Sequence, residues 1–242
     1  MSGHSKWATI KHKKAALDAK RGNSFTRLIK EIVIAARSGG DPDSNARLRT
    51  AIAAAKAVSM PADNIKRAVM RGTGELEGST IEEVMFEGYG PGGAAVLVAC
   101  ATDNRNRTVS EIRHAFSKNG GNLGEVGSVA WMFDRKSQIL IPKEQIGEDA
   151  LMELALEVGA DDVKDEDENW SVLSAADMHH IVLEALEKAK LKPESAEIAM
   201  IPKNLMTVDK KHVGGMMRML EVLEEYDDTQ NVYSNFDYDE EA

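Results

Sequence analysis

One cysteine, six prolines and twelve aromatics in 242 residues leave this chain few specialised devices. A single thiol, Cys100, excludes an internal disulfide framework and a cysteine metal cluster, and suits a reducing cytosol. It falls in an apolar stretch and is expected to be buried and inert. No apolar run approaches the roughly 18 residues that a membrane helix needs, so no membrane partner is expected. The basic N-terminus has no apolar segment after it, which excludes a secretory signal. It is acid-poor, as mitochondrial leaders are, but poor in Arg and continuous with a helical pattern, so it reads as mature protein. With aromatics at 5%, the cores must be built from Ala, Val, Ile, Leu and the 12 Met. A hydrophobic fraction of 43% and a charged fraction of 29% suit a globular chain rather than a disordered one.

Catalytic signatures are equally sparse. There is no nucleophile elbow, no Walker loop and no pair of carboxylates at catalytic spacing. Gly88-Tyr89-Gly90-Pro91-Gly92-Gly93 matches a dinucleotide fingerprint in form. The residues after it, Ala94 to Val98, are strand-like, whereas phosphate binding needs a helix start there, so a hairpin turn is expected instead. His179 and His180 are adjacent and would point about 100° apart on a helix, which suits no shared metal. The acidic run Asp161, Asp162, Asp165, Glu166, Asp167, Glu168 lacks the glycine and terminal glutamate of a calcium loop and reads as a solvated hairpin. Met216, Met217 and Met219 read as core filling. The expectation is therefore a non-enzyme with no cofactor, no metal and no small-molecule substrate.

Charge, by contrast, is plentiful and unevenly placed. Residues 1–75 hold 15 Lys/Arg and 6 Asp/Glu, a net of +9; residues 76–242 hold 15 and 34, a net of −19. Eight of the basic residues lie in the first thirty, against one acid, Asp18. A basic head on an acidic protein points to a polyanionic partner. Lys6, Lys11, Lys13, Lys14, Lys20, Arg21, Arg27 and Lys30 are the phosphate-contact candidates, with His12 among them and Arg47 and Arg49 further on. Trp7 could stack on an unpaired base or pack into a helical bundle. A second polar constellation, Thr102-Asp103-Asn104-Arg105-Asn106-Arg107-Thr108, lies between a strand end and a helix start. Asn104, Arg105 and Arg107 could meet an anion there; equally, the loop could be a capped helix start.

The apolar periodicity gives a domain plan. Phe25, Leu28, Ile29, Ile32, Val33 and Ala36 make one helical stripe. Asp41-Pro42 and Ser59-Met60-Pro61 read as caps of two more helices. Residues 1–75 thus form a basic helical domain. Strands at Val84–Tyr89 and Ala94–Thr102 follow, then a helix with a capping box at Thr108-x-x-Glu111, then a strand at Ser128–Phe133. Residues 135–204 read β-α-β-β-α-β, the split βαβ pattern, with helices at 143–158 and 177–190. A helix at 209–225 and a strand near Val232–Phe236 complete the earlier strands. The expected fold class is α+β, with 135–204 inserted into a discontinuous domain of 76–134 plus 205–242.

Several longer motifs resemble the YebC/PmpR family. They are Met1-Ser-Gly-His-Ser-Lys-Trp7, Ile10-Lys11, Asp18-Ala19-Lys20-Arg21-Gly22, Lys30-Glu31-Ile32, Gly39-Gly40-Asp41-Pro42, Asn45-x-Arg47-Leu48-Arg49, Met60-Pro61, Glu87-Gly88-Tyr89-Gly90-Pro91, Thr102 to Thr108, and Gly120-Gly121-x-Leu123-Gly124. The resemblance implies three domains, a helical one followed by two α+β ones. It implies a cytoplasmic regulator of gene expression that binds DNA, or alternatively a ribosome-associated factor that binds ribosomal RNA and eases translation of difficult sequences such as proline runs. Mitochondrial relatives are known as translational activators. A protein-interaction module using the acidic surfaces is the alternative from another class.

Overall fold

The computed structural model describes residues 23–166 and 168–239. Three helices come first: α1 (Asn23–Ala36), α2 (Ala46–Ala57) and α3 (Ala62–Thr73). The α1 stripe is where the spacing puts it, but Ile34 and Ala35 are buried as well as Ile32, Val33 and Ala36. The end of α1 is enclosed on several sides, because Leu48, Ala51 and Ala55 of α2, Ile65 and Ala68 of α3, and Ile81 and Ala101 from the chain beyond share its core.

Both expected proline caps are corrected. Asp41 folds a turn, accepting from the Asp43 amide and the Ser44 hydroxyl, and α2 starts later. Its cap is Asn45, whose side chain accepts from the Leu48 amide at 3.0 Å. Ser59 takes a left-handed φ of 60°, the geometry that closes α2, where the Met60 amide bonds back to the Ala55 carbonyl. Helix α3 starts after Pro61 with no side-chain cap.

Strands β1 (Glu82–Tyr89) and β2 (Ala95–Thr102) form an antiparallel hairpin in full register from Glu82–Thr102 to Tyr89–Ala95. The glycine-rich segment between them is a single 3-10 turn over Pro91–Gly93, with left-handed φ at Gly92 and Gly93. Helix α4 (Arg105–Lys118) begins three residues before the expected capping box, because Asn104 caps it and not Thr108. A two-residue strand, β3 (Asn122–Leu123), pairs with β1.

No strand forms over Ser128–Met132, where Ala130–Met132 is a 3-10 turn. The Glu87 carboxylate takes the amides of Gly127, Val129 and Ala130 at 2.7–2.8 Å, so the chain there loops around one side chain instead of joining a sheet. Strand β4 then runs as one unit from Phe133 to Pro142.

After β4 come α5 (Glu148–Glu157), β5 (Asp162–Glu166), β6 (Asn169–Ala175), α6 (His179–Lys188) and β7 (Ser195–Pro202). The order β-α-β-β-α-β is as the periodicity indicates, and the sheet order β5-β6-β4-β7 is antiparallel throughout. Helix α5 starts five residues later than expected. Lys143–Gln145 is a 3-10 turn, Ile146 is extended, and the Ile146 carbonyl accepts from the Trp170 indole at 3.0 Å. Ser174 is buried in β6 and does not cap α6. The short strand β8 (Met206–Thr207), α7 (Lys210–Glu225), β9 (Thr229–Ser234) and β10 (Phe236–Asp237) end the described chain. Strand β10 pairs parallel with β8.

The C-terminal segment returns to the first sheet, whose order is β3-β1-β2-β9. Helices α4 and α7 lie together against that sheet. Ile112, Ala115 and Phe116 from one, and Met216, Met219, Leu220 and Leu223 from the other, enter one core with Val96, Val98 and Cys100. The far faces of the two sheets approach through Leu97, Val129, Phe133, Leu173 and Ile201, with Tyr233 packed against both groups. The molecule is thus a mixed α+β fold of helices and two four-stranded antiparallel sheets.

Candidate nucleic-acid interface

The sequence-derived candidates divide into those outside and those inside the described residues. Lys6, Trp7, Lys11, His12, Lys13, Lys14, Lys20 and Arg21 lie outside. Arg27, Lys30, Arg47, Arg49, Asn104, Arg105 and Arg107 lie inside, and most of them have partners in the protein itself.

The organising group is Asp228, between the end of α7 and the start of β9, 4% exposed. Lys30 of α1 reaches it across 198 positions of sequence, with Nζ 2.6 Å from Oδ1 and 2.8 Å from the Asp227 carbonyl. Arg107 in the first turn of α4 donates to Oδ2 at 2.8 Å and to Asp103 at 3.1 Å. The Thr108 and Thr102 hydroxyls lie 2.7 and 3.1 Å from the same oxygen. Burial pushes the Asp228 carboxyl up, but the bonds from Arg107, Lys30 and Thr108 outweigh it and hold the group well below the usual carboxylate range. One carboxylate therefore ties the basic helices, the end of β2, the start of α4 and the start of β9 together.

The loop after β2 takes its shape from this contact. Asn104 accepts from the Arg107 amide at 3.1 Å, and its own amide donates to Thr102 at 2.9 Å. Of the three candidates there, Asn104 is a helix cap, Arg107 is paired, and Arg105 stands exposed with no ion pair among the described residues. Arg47 pairs with Glu31 and Glu83, both at 2.7 Å. The Glu31 bond raises its pKa against the opposing pull of burial, and Glu83 adds to the effect. Arg49 donates to the carbonyls of Pro42 and Asp43. Arg27 is half-buried, with its Nε unbonded.

Exposed cations without ion pairs do remain among the described residues of this region. They include Lys56 on α2, Lys66, Arg67 and Arg71 on α3, and Arg105 at the start of α4. They can offer charge to a phosphate; the residues around Asp228 position the helices that carry them.

A second buried carboxylate organises a loop rather than a helix. Glu87 is 4% exposed. Burial pushes its carboxyl up, and the three backbone amides more than offset this, so its pKa lies below the ordinary value. The loop it holds is also tied by the Tyr89 hydroxyl to the Ser128 carbonyl at 3.0 Å. It presents Trp131 at 64% exposure, the indole hydrogen-bonded to the Ser128 carbonyl. Sequence reasoning missed both carboxylates. Glu87 sits in a strand pattern and Asp228 in an acidic turn, and neither neighbourhood signals a long-range partner.

Other readings of the sequence have definite outcomes. Cys100 is buried, and burial pushes its thiol up to about 12. Met216 and Met219 are fully buried, as core filling requires. The acidic run lies in β5 and its turn into β6, with Asp161 paired to Lys136 and Asp165 to Lys143; it is not solvated throughout, because Glu166 is buried at 6% exposure. No helix among the described residues is long and apolar enough to cross a membrane.

Known proteins agree with this architecture. A solved structure, that of a conserved hypothetical protein from Aquifex aeolicus, superposes with a TM-score of 0.88 at 47% identity, covering 98% of each chain. A protein of Solibacter usitatus named "Probable transcriptional regulatory protein" is 68% identical over 240 residues, 99% of this chain and 97% of that one. A protein of Desulfotalea psychrophila with the same designation is 57% identical over 243 residues, 100% of this chain and 97% of that one. The TACO1/YebC protein N-terminal domain model matches residues 5–75, and the model of the TACO1/YebC second and third domain matches residues 81–236. With both models matched in sequence order across nearly its whole length, this chain belongs to the TACO1/YebC family.

Proposed function

We propose that this protein is a nucleic-acid-binding regulator of gene expression, acting in the cytoplasm and not as an enzyme, and that it holds its target chiefly by the phosphate backbone. The observation that carries the proposal is the charge split, +9 over residues 1–75 against −19 over 76–242. It is supported by the exposed Lys56, Lys66, Arg67 and Arg71, which carry that charge to the surface of α2 and α3. The contacts are drawn from those named from the sequence, chiefly Lys6, Lys11, Lys13, Lys14, Lys20 and Arg21, with Trp7 and His12 beside them. The names of the relatives favour DNA as the target and transcription as the process regulated.

The chain is divided here into a basic helical domain (1–75), a discontinuous α+β domain (76–134 plus 205–242) and an inserted ferredoxin-like domain (135–204). In support, β9 completes the first sheet, while β4 to β7 form a sheet of their own.

Ribosomal RNA is the second reading. Its support is the scatter of exposed cations over α2, α3 and the start of α4 rather than along one helix. Charge spread over a surface suits folded RNA, which is recognised mainly by shape and backbone.

The test is the salt dependence of binding. Replacing Lys11, Lys13 and Lys14 with Ala should reduce the slope of log K against log salt by up to about 2.7 for duplex DNA, and by about 2.1 for a single strand. An unchanged slope excludes these lysines as phosphate contacts. Co-sedimentation with ribosomes and retention on promoter DNA, at one salt concentration, separates the two readings. Failure of both associations leaves the protein-interaction reading.

A further inference from the structure

The acidic part of the chain is not acidic all round. Helix α4 and the first nine residues of α7 hold seven Lys/Arg (Arg105, Arg107, Arg113, Lys118, Lys210, Lys211, Arg218) and one acid, Glu111. The rest of residues 76–242 holds the other 8 Lys/Arg and 33 Asp/Glu. The two helices are 91 residues apart in sequence but adjacent in space, packing their apolar faces into one core. Their outer faces therefore make one surface, and Arg113, Lys118, Lys210, Lys211 and Arg218 are all exposed on it. Within the described residues, Lys211 alone of these has an ion pair, at 3.6 Å to Asp209, with both side chains about three-quarters exposed.

Helix stability does not account for this placement. Lys210 and Lys211 stand in the first turn of α7, the end of a helix where cations are disfavoured. Gly214 follows them on the exposed face, where a Cβ would meet only the mobile end of Arg218, 3.5 Å away. Neither packing nor backbone conformation requires a glycine there, although in a helix interior it is a weak choice. What an exposed glycine among cations does provide is close approach of a partner to the main chain. Nearby, Gly215 lies against Asn119 and Pro91, so Lys118 at the end of α4 is brought beside the start of α7.

We propose that the outer face of α4 and α7 is a second polyanion-binding surface, taking a sugar–phosphate backbone along Arg113, Lys118, Lys210, Lys211 and Arg218, with Gly214 as the point of closest approach. This rests on the nucleic-acid reading above and adds a surface to it. It is distinct from the basic head: α7 runs for 16 residues, about 24 Å, from this region to the Asp228 contact with α1.

The experiment compares four proteins: wild type, a face variant (Arg113→Ala, Lys118→Ala, Arg218→Ala), the head variant (Lys11→Ala, Lys13→Ala, Lys14→Ala) and a charge-matched control (Lys188→Ala, Lys190→Ala, Lys192→Ala). Binding to a labelled 20-base-pair DNA duplex and to an RNA hairpin is followed by anisotropy over a salt series, with circular dichroism to confirm folding. The face variant should lose up to about 2.7 from the slope on duplex, or up to about 100-fold in affinity near 0.15 M salt, while the control stays at wild type. Loss on one probe and not the other identifies which nucleic acid the face holds. A face variant that matches the control on both probes, while the head variant is weakened, overturns this inference and leaves the proposed function standing. If wild type binds neither probe, both fall. Gly214→Leu adds bulk without changing charge and should weaken binding at an unaltered slope; unchanged affinity removes Gly214 from the contact.

Discussion

Replacing Asp228 with Asn should loosen the attachment of the basic helices more than any surface change of equal size. The Asp228 side chain is 5% exposed, Lys30 14% and Arg107 46%. Removing one partner of a buried pair costs about 3–5 kcal/mol, because the other charge is left unpaired away from water. Lys30 is close to that limit, with the Asp227 carbonyl its one remaining partner among the described residues. Arg107 is not: half exposed and still bonded to Asp103, it should contribute no more than about 1 kcal/mol. Asn keeps one oxygen acceptor for the threonine hydroxyls or for Lys30, which returns about 1 kcal/mol. The expected loss is about 2–4 kcal/mol at pH 7, read from urea unfolding followed by circular dichroism. The pH dependence has a definite sign. The folded carboxyl titrates below its unfolded value of about 3.9, so its stabilisation is complete above that pH and is lost as pH falls through the folded value. The gap between wild type and Asp228→Asn should therefore begin to narrow below about pH 4 and close only as pH reaches the folded value. A Lys30→Met, Asp228→Asn double variant should be more stable than the sum of the single losses predicts, by at least about 1 kcal/mol. Additivity within about 0.5 kcal/mol, or a gap that does not narrow at all as pH falls below about 4, would refute the view of Asp228 as a charged tie.

Two further outcomes follow from buried groups. Glu87→Gln leaves one acceptor oxygen for three backbone donors and turns an amide nitrogen toward them. It should cost about 1.5–3 kcal/mol and speed hydrogen exchange at the Gly127, Val129 and Ala130 amides; exchange at the wild-type rate would show that the loop does not depend on the carboxylate. Cys100, the one thiol, is buried with its pKa pushed up to about 12. Native protein should resist a disulfide reagent at pH 8 that the urea-unfolded chain consumes at one equivalent, and equal rates in the two states would contradict that burial.

What could be read from the sequence was mostly what periodicity encodes. The stripe of α1, the β1–β2 hairpin and the β-α-β-β-α-β run over 135–204 follow from apolar spacing and turn glycines, which are local properties. The errors share another cause: side chains that bond far along the chain. Thr108 has the spacing of a capping box, yet its hydroxyl faces Asp228, 120 positions away. Ser128 to Ala130 has strand-like composition, yet Glu87, 40 to 43 positions before the amides it binds, takes those of Gly127, Val129 and Ala130 out of any ladder. A proline after a polar residue promised caps at Asp41 and Ser59, and in each case the polar residue closes a turn instead. Local signals name the element type well and the boundary poorly, because boundaries are where long-range polar contacts act.

The same distinction decides how charge should be read. A net charge counted over a segment equals the charge of a surface only when its ions are exposed and unpaired. Lys30, Arg47 and Arg107 count toward a basic head and a basic loop, but Asp228, Glu31, Glu83 and Asp103 hold them within the fold. The net of −19 over residues 76–242, in turn, hides Arg113, Lys118, Lys210, Lys211 and Arg218, which folding collects from two distant helices onto one face. For a polyanionic partner, the effective surface is what remains after internal pairing. Among the described residues of this molecule, the exposed cations without ion pairs include Arg113, Lys118, Lys210 and Arg218, from the part of the chain with the most negative composition, and do not include Lys30, Arg47 or Arg107.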